Sequence, residues 1–111
     1  MKLSEIKKQL NVFAEITNNR TKIDTSELYN HEYTVDEYVL VPDNKGEVYA
    51  VVHCKEIPDK FHFAGKMETD ILCMIDSDEE AKIEFKQFGL KLHYEQAKNK
   101  NNQGYTKVTM C

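Results

Sequence analysis

The segment EVYAVVHC, residues 47–54, constrains the fold most, because it is apolar on both faces of a strand. Alternate side chains of a strand point to opposite faces. One face carries small or apolar side chains, namely Val48, Ala50, Val52 and Cys54. The other face carries Tyr49, Val51 and His53. A strand of this kind has to be covered on both sides, so we expect it at the centre of a sheet.

Other strands are predicted on both sides of this segment. The stretch YVLVP is β-branched and aromatic and ends at Pro42, which cannot donate to a ladder. The turn PDNKG joins it to residues 47–54, and FHFA, residues 61–64, makes a third strand. Leu90, Leu92 and Tyr94 alternate with polar residues in a fourth, half-buried strand. After the loop KNKNNQG, the segment YTKVTM returns as its partner.

Helical spacing occurs before and between these strands. Residues 1–18 predict an amphipathic helix, because apolar side chains recur at intervals of three and four: Leu3, Ile6, Leu10 and Phe13. Residues 66–88 predict a helical insert. Within it Ser77 and Glu80 have the spacing of a capping box, and Gly89 follows as a C-terminal cap.

The resulting order is helix, three strands, helical insert, two strands. It predicts a single α+β domain over residues 1–111, with a five-stranded antiparallel, OB-like sheet or barrel over residues 33–111 and the insert between strands 3 and 4. An open antiparallel sheet with helices on one face has the same element order and stays an alternative.

Composition limits the class of protein. No apolar run approaches the length needed to span a bilayer, and no signal peptide is recognisable. The three cysteines are Cys54, Cys73 and Cys111; they are odd in number and widely spaced, which favours a reducing, cytoplasmic location.

Charge is unevenly distributed along the chain, whose formal net charge is -4. Residues 27–47 contain six acids and one lysine, and residues 68–84 contain seven acids and one lysine. Residues 89–111 instead contain four lysines and one acid. The sequence therefore predicts a local positive site on a negative body.

The terminal hairpin is the candidate site for nucleic acid. Lysines neutralise phosphates without base preference, and tyrosine rings offer stacking faces. The candidate residues are Tyr94, Lys98, Lys100, Tyr105 and Lys107, with Tyr49 as a further aromatic residue on the central strand. A plain solvated hairpin, whose lysines protect a sheet edge, is the alternative.

No motif indicates catalysis, a metal or a cofactor. Adjacent His53 and Cys54 point to opposite faces of a strand, and no pair of ligands has the spacing of a zinc site. A phosphate-binding glycine loop is absent from the sequence. We therefore expect a protein that is not an enzyme and that has no metal site and no cofactor.

Two segments resemble small accessory single-stranded-DNA-binding proteins of Gram-positive phages and mobile elements: KFHFAGKMETDIL and GLKLHYEQAKNKNNQGYTKVTM. The resemblance implies an OB-like fold and sequence-tolerant binding of single strands, with Tyr94, Lys98, Lys100, Tyr105 and Lys107 at the groove. The chain differs from the better-known bacterial members in its leading helix and in having no Trp.

These observations predict non-catalytic binding of single-stranded nucleic acid. The alternative is an acidic adaptor or inhibitor that binds a basic partner protein through its acidic face or its N-terminal helix. A third hypothesis is a homodimer formed through the helix of residues 1–18. We expect no association with membranes.

Overall fold

The computed structural model describes residues 2–111 and consists of a curled, mixed sheet of six strands with helices on both faces. Met1, the first residue of the predicted helix 1–18, lies outside the described residues. The elements in chain order are α1 (Leu3–Thr17), β1 (Thr21–Ile23), a 3₁₀ helix (Thr25–Leu28), β2 (His31–Pro42), β3 (Val48–Cys54), β4 (Lys60–Phe63), α2 (Lys66–Asp76), α3 (Glu79–Phe88), β5 (Leu90–Lys98) and β6 (Gly104–Met110). The strand order across the sheet is β1-β4-β3-β2-β5-β6.

The long strand β2 organises the sheet. Its first half, His31–Val35, pairs with β5, and its second half, Glu37–Pro42, pairs with β3. The register shifts between Val35 and Glu37, where an extra residue bends the strand. This bend lets one strand belong to both halves of the curled sheet.

The five predicted strands are present as β2 to β6 and pair antiparallel, but the sheet as a whole differs from the prediction in two respects. A sixth strand, β1, is present, and it pairs with β4 in parallel. Only three residues form β1, too few for a periodic pattern to show in the sequence. The strand forms because its backbone groups complete the outer edge of β4.

The concave face of the sheet holds the larger core. Leu72 of α2 and Leu28 of the 3₁₀ helix contribute side chains that are excluded from solvent. The sheet contributes the remaining buried members: Val35, Ala50, Val52, Cys54, Leu90, Leu92, Tyr94 and Val108. The predicted insert between strands 3 and 4 therefore covers this face.

The convex face is partly covered by α1. Ile16 is buried in a smaller cluster with Val39, Val51 and Phe61. The N-terminal half of α1 extends without cover, so that Leu3 is 81% and Leu10 63% exposed. The predicted apolar stripe is helical, but only its C-terminal part packs on the sheet.

The start of α3 differs from the predicted capping box. Asp78 is the N-cap, and its carboxylate accepts a hydrogen bond of 3.0 Å from the Glu80 N–H. The Ser77 hydroxyl instead donates to the Met74 carbonyl and so completes the end of α2.

No helix within residues 2–111 is both long and apolar enough to cross a membrane.

Candidate functional site

The terminal ribbon, which we define as β5, β6 and their loop, carries most of the predicted site. Lys98 pairs with Gly104 at its tip, and both Lys98 and Lys100 are exposed. Within the described chain, neither lysine has an ion-pair partner. Their ammonium groups are therefore not neutralised by a carboxylate of the described chain, and their role in binding nucleic acid stays a prediction.

The asparagines and the glutamine of this loop shape the turn. The Asn99 side chain accepts hydrogen bonds from the N–H groups of Asn101, at 2.9 Å, and Gln103, at 3.0 Å. Asn102 has a positive φ of 63°, a conformation that Asn tolerates better than most residues. Much of the polar content of the loop therefore serves its backbone geometry.

Tyr94 was assigned to the binding surface, and the structure places it in the core. Its ring is 0% exposed, on the concave face with Leu92 and Val108. Its hydroxyl donates a hydrogen bond of 2.6 Å to Glu68. The ring of Tyr94 is therefore not accessible to a base.

Tyr105 and Lys107, the two remaining predicted site residues of the ribbon, lie on the convex face. Tyr105 is 40% exposed and pairs with Ala97. Lys107 lies opposite Glu95, and its Nζ is 3.6 Å from a carboxylate oxygen of Glu95. A carboxylate that already neutralises Lys107 weakens its attraction for a phosphate.

Nearby Lys91 is also paired, with its Nζ 3.7 Å from a Glu32 oxygen. Together with Glu32 of the neighbouring strand β2, the convex face of the ribbon thus carries opposite charges that largely cancel. A cross-strand pair of this kind depends on strand register, which the amino-acid order alone does not reveal.

Tyr49, a predicted site residue, lies on the convex face of β3 in an aromatic group with Phe63 and Phe61, which the sequence analysis did not assign to the site. Its ring centroid is 5.6 Å from that of Phe63, and the Phe63 centroid is 6.2 Å from that of Phe61. The Lys22 ammonium sits 4.3 Å from the Phe63 centroid, within the range of a cation–π contact. Phe63 is 37% exposed, so part of this group faces solvent.

A cleft of about 450 Å³, which we call the rim cleft, adjoins this aromatic group. It lies between the β2–β3 turn and the start of α2, and Tyr49 lines it. The terminal ribbon reaches its border, because a Cβ built on Gly65 would be 3.9 Å from the Cβ of Thr106. The rim cleft therefore brings Tyr49 and the residues beside Thr106 to one end of the molecule.

The charges of the rim cleft are mostly negative. Three carboxylates line it, those of Asp43, Glu47 and Asp70. Lys66 also lines it, and its Nζ is 3.5 Å from Asp70. A phosphate would be repelled inside the cleft, whereas an uncharged base would not be.

A second cleft, about 570 Å³ in volume, lies between α1 and α3 along the second half of β2. We call it the edge groove. None of the predicted site residues lines it.

The most polar part of the interior is a network of three side chains. The Nε2 of His62 lies 2.9 Å from Glu68 Oε1, and Glu68 also accepts the hydrogen bond from Tyr94. Burial, reinforced by the Glu68 carboxylate, raises the pKa of Tyr94 far above its usual range. Burial likewise raises the pKa of the nearby Cys54 thiol, which disfavours a reactive thiolate. All three side chains of the network are closed to solvent.

Asp36, Glu37 and His53 form a cluster of potential metal ligands, whose ligand atoms lie within 4.8 Å of one another. The Nδ1 of His53 is 2.6 Å from Asp36, and its Nε2 is 3.0 Å from the Pro58 carbonyl. Glu37 is 3.5 Å from an Arg20 nitrogen. Both imidazole nitrogens have hydrogen-bond partners, so a metal ion would have to replace one of these contacts to reach His53.

Comparisons with protein-family models, curated proteins and solved structures find no match for this chain.

Proposed function

We propose that the chain is a non-catalytic domain that binds single-stranded nucleic acid at the rim cleft and the adjoining end of the terminal ribbon. The carrying observation is the position of Thr106, whose Cβ lies 3.9 Å from a Cβ built on Gly65, because this brings the ribbon to the border of the cleft that Tyr49 lines. Bases would stack on exposed aromatic faces there, while phosphates would remain outside near Lys98 and Lys100.

The strand pairing supports an OB-like interpretation of the half-barrel. The bulged strand β2 pairs with β3 on one side and with β5 on the other, and a helical insert precedes β5. OB-folds bind oligonucleotides on the face of their second and third strands and on the adjoining loops. In this chain those strands are β3 and β4, whose convex face carries Tyr49 and Phe63.

The charge distribution indicates that binding would be weak and would depend on few ionic contacts. Each phosphate neutralised on a single strand contributes about −0.7 to the slope of log K against log salt. Lys98 and Lys100 alone would give a slope of about −1.4. A much steeper slope would require contacts from lysines outside the loop end of the ribbon.

Fluorescence anisotropy with a labelled oligo-dT at several salt concentrations tests the proposal. We expect saturable binding at low salt, a shallow salt dependence, and weaker binding of a duplex of the same length. Absence of saturable binding at low salt would contradict the proposed function.

A second candidate function is binding of a basic partner protein. The observation that favours it is the exposed acidic start of α3, where Asp78, Glu79 and Glu80 lie together. We would then expect a pulldown from nuclease-treated host lysate to recover one basic protein in stoichiometric amount. Glu79→Gln combined with Glu80→Gln should release that protein, whereas oligo-dT binding should not weaken.

A further inference from the structure

The second half of β2 has a hydrogen-bonded neighbour on one side only. Beyond Val35, β5 no longer pairs with β2, and residues Glu37–Pro42 pair with β3 alone. The opposite edge of this half-strand forms the floor of the edge groove, which is lined by Tyr38, Val39 and Leu40. A sheet edge is therefore open at the bottom of the larger cleft.

The register identifies the backbone groups that face this groove. The Asp43 N–H donates to the Glu47 carbonyl at 2.6 Å, so alternate residues before it, such as Val41 and Val39, also point their backbone groups toward β3. The intervening Tyr38 and Leu40 direct their N–H and C=O groups away from β3. Within residues 2–111, no hydrogen bond satisfies these groups. Pro42 follows the same alternation as Tyr38 and Leu40, so its C=O group points away from β3; it has no N–H.

We propose that this edge pairs with the same edge of a second copy of the chain, in an antiparallel arrangement about a two-fold axis near Val39. Tyr38 of one copy would lie opposite Leu40 of the other, and each of the two symmetric pairs would exchange both of its hydrogen bonds. Pairing of a free sheet edge with an added strand is a recurrent mode of protein recognition. A two-fold axis makes the same surface serve both copies.

Lys8 of α1 and the acidic residues of β2 are complementary charges under this symmetry. Arg20 lies 3.5 Å from Glu37, and Ile16 packs near Val39, so α1 runs antiparallel to β2. Lys8 therefore lies toward the Pro42 end of the groove, and Glu37 with its neighbour Asp36 lies at the other end. Antiparallel pairing brings Lys8 of each copy toward the acidic end of its partner.

The α1 helices of the two copies can also be accommodated in such a dimer. Because α1 contacts both β2 and β3, its axis lies inside the edge of β2. With strands about 4.8 Å apart, the two symmetric α1 helices would be separated by about 10 Å, close to the 8–10 Å of packed helices. Val12 would then lie in the seam between the two helices.

Leu40→Pro tests the proposal in the full chain, because it removes an N–H that the β2–β3 ladder does not use. Light scattering coupled to gel filtration should show a wild-type dimer, a dimer for the matched Leu40→Ala variant, and a monomer for Leu40→Pro with unchanged circular dichroism. Lys8→Glu, at an exposed position, should weaken the dimer about two- to fivefold.

Three outcomes would overturn the inference. The wild-type chain could be monomeric at all concentrations measured. Leu40→Pro could fold and remain dimeric while Leu10→Glu dissociates the dimer, which would place the interface on the exposed stripe of α1. If Leu40→Pro fails to fold, an unchanged dimer affinity of Lys8→Glu contradicts the proposed orientation.

Discussion

The hydroxyl of Tyr94 lies 2.6 Å from Glu68 Oε2, and both side chains are closed to solvent. A tyrosine on the terminal ribbon thus connects β5 to α2 from inside the core. Its raised pKa keeps the phenol protonated, so it remains a donor to the carboxylate over the physiological pH range.

Tyr94→Phe should lower the free energy of unfolding by about 1–3 kcal/mol, because Glu68 loses a buried hydrogen-bond donor. Urea denaturation measures the change, and oligo-dT affinity should stay unchanged. Tyr105→Phe is the matched control, since that partly exposed residue makes no hydrogen bond through its hydroxyl within the described chain. If a fully folded Tyr94→Phe variant binds oligo-dT more weakly, Tyr94 contributes to binding and its assignment to the core alone is wrong.

Gly89→Ala should also destabilise the fold. Gly89 has φ of 71° and ψ of −169°, a region that essentially only glycine occupies. A Cβ at this position would lie 2.8 Å from Thr34 Cγ2 and 2.9 Å from the Val35 carbonyl oxygen. Backbone strain alone costs about 1–3 kcal/mol, and the contacts with β2 add to that cost.

Gly46→Ala is the matched control for the close contact at Gly89. Gly46 also has positive φ, 83°, but a Cβ there meets nothing within 4 Å. Thermal or urea denaturation should therefore show a smaller loss for Gly46→Ala, about 1 kcal/mol. Equal losses for the two variants would mean that the contacts with Thr34 and Val35 relax without cost.

Periodicity predicted the elements that carry enough residues to show a repeat. The strands near residues 48–54 and 90–95 and the helix of residues 1–18 were predicted in the right places. The three residues of β1 were not, because pairing with the distant β4 stabilises them. Spacing also predicted which side chains of α1 share a face, but it could not show that Phe13 packs on the sheet while Leu3 stays 81% exposed.

The candidate site was harder to predict than the fold. Amino-acid order shows that Lys107 is positively charged, but only the β5–β6 register shows that Glu95 neutralises it. The alternation that grouped Tyr94 with Leu90 and Leu92 already indicated a buried face for its ring. The open edge of β2 has no signature in the sequence, because it depends on where β5 stops pairing.

Glu32→Gln should accelerate alkylation of Cys111. The thiol donates a hydrogen bond of 3.2 Å to the Glu32 carboxylate, and this bond, with the adjacent charge, raises the pKa of Cys111. Removing the charge lowers that pKa, so the thiolate fraction below the pKa increases. Iodoacetamide labelling across pH, followed by mass spectrometry, should show the Cys111 profile displaced to lower pH, while Cys73 serves as the internal control.

An unchanged Cys111 profile in Glu32→Gln would contradict the contact between these two side chains. Cys54 should remain unlabelled in both proteins while they are folded, because burial raises its pKa and blocks access.

Lys98→Gln combined with Lys100→Gln should weaken oligo-dT binding and bring the salt slope close to zero. The expected change in slope is about 1.4, since each lysine neutralises about one phosphate. Lys2→Gln combined with Lys7→Gln changes the net charge equally at the exposed start of α1 and serves as the control. If both double variants lose the same affinity, the effect comes from overall charge and not from the ribbon.

Glu47→Gln should change oligo-dT binding in the opposite direction. The Glu47 carboxylate lines the rim cleft, and its side chain makes no ion pair or hydrogen bond with residues 2–111. Its removal takes away repulsion of a passing phosphate without disturbing the turn, and at separations near 7 Å in water this amounts to about two- to threefold in affinity. Glu84→Gln on α3 is the control with the same change in charge. Tighter binding by Glu47→Gln but not by Glu84→Gln would support a path of the nucleic acid along the rim cleft. Equal affinities of the two variants would contradict that path.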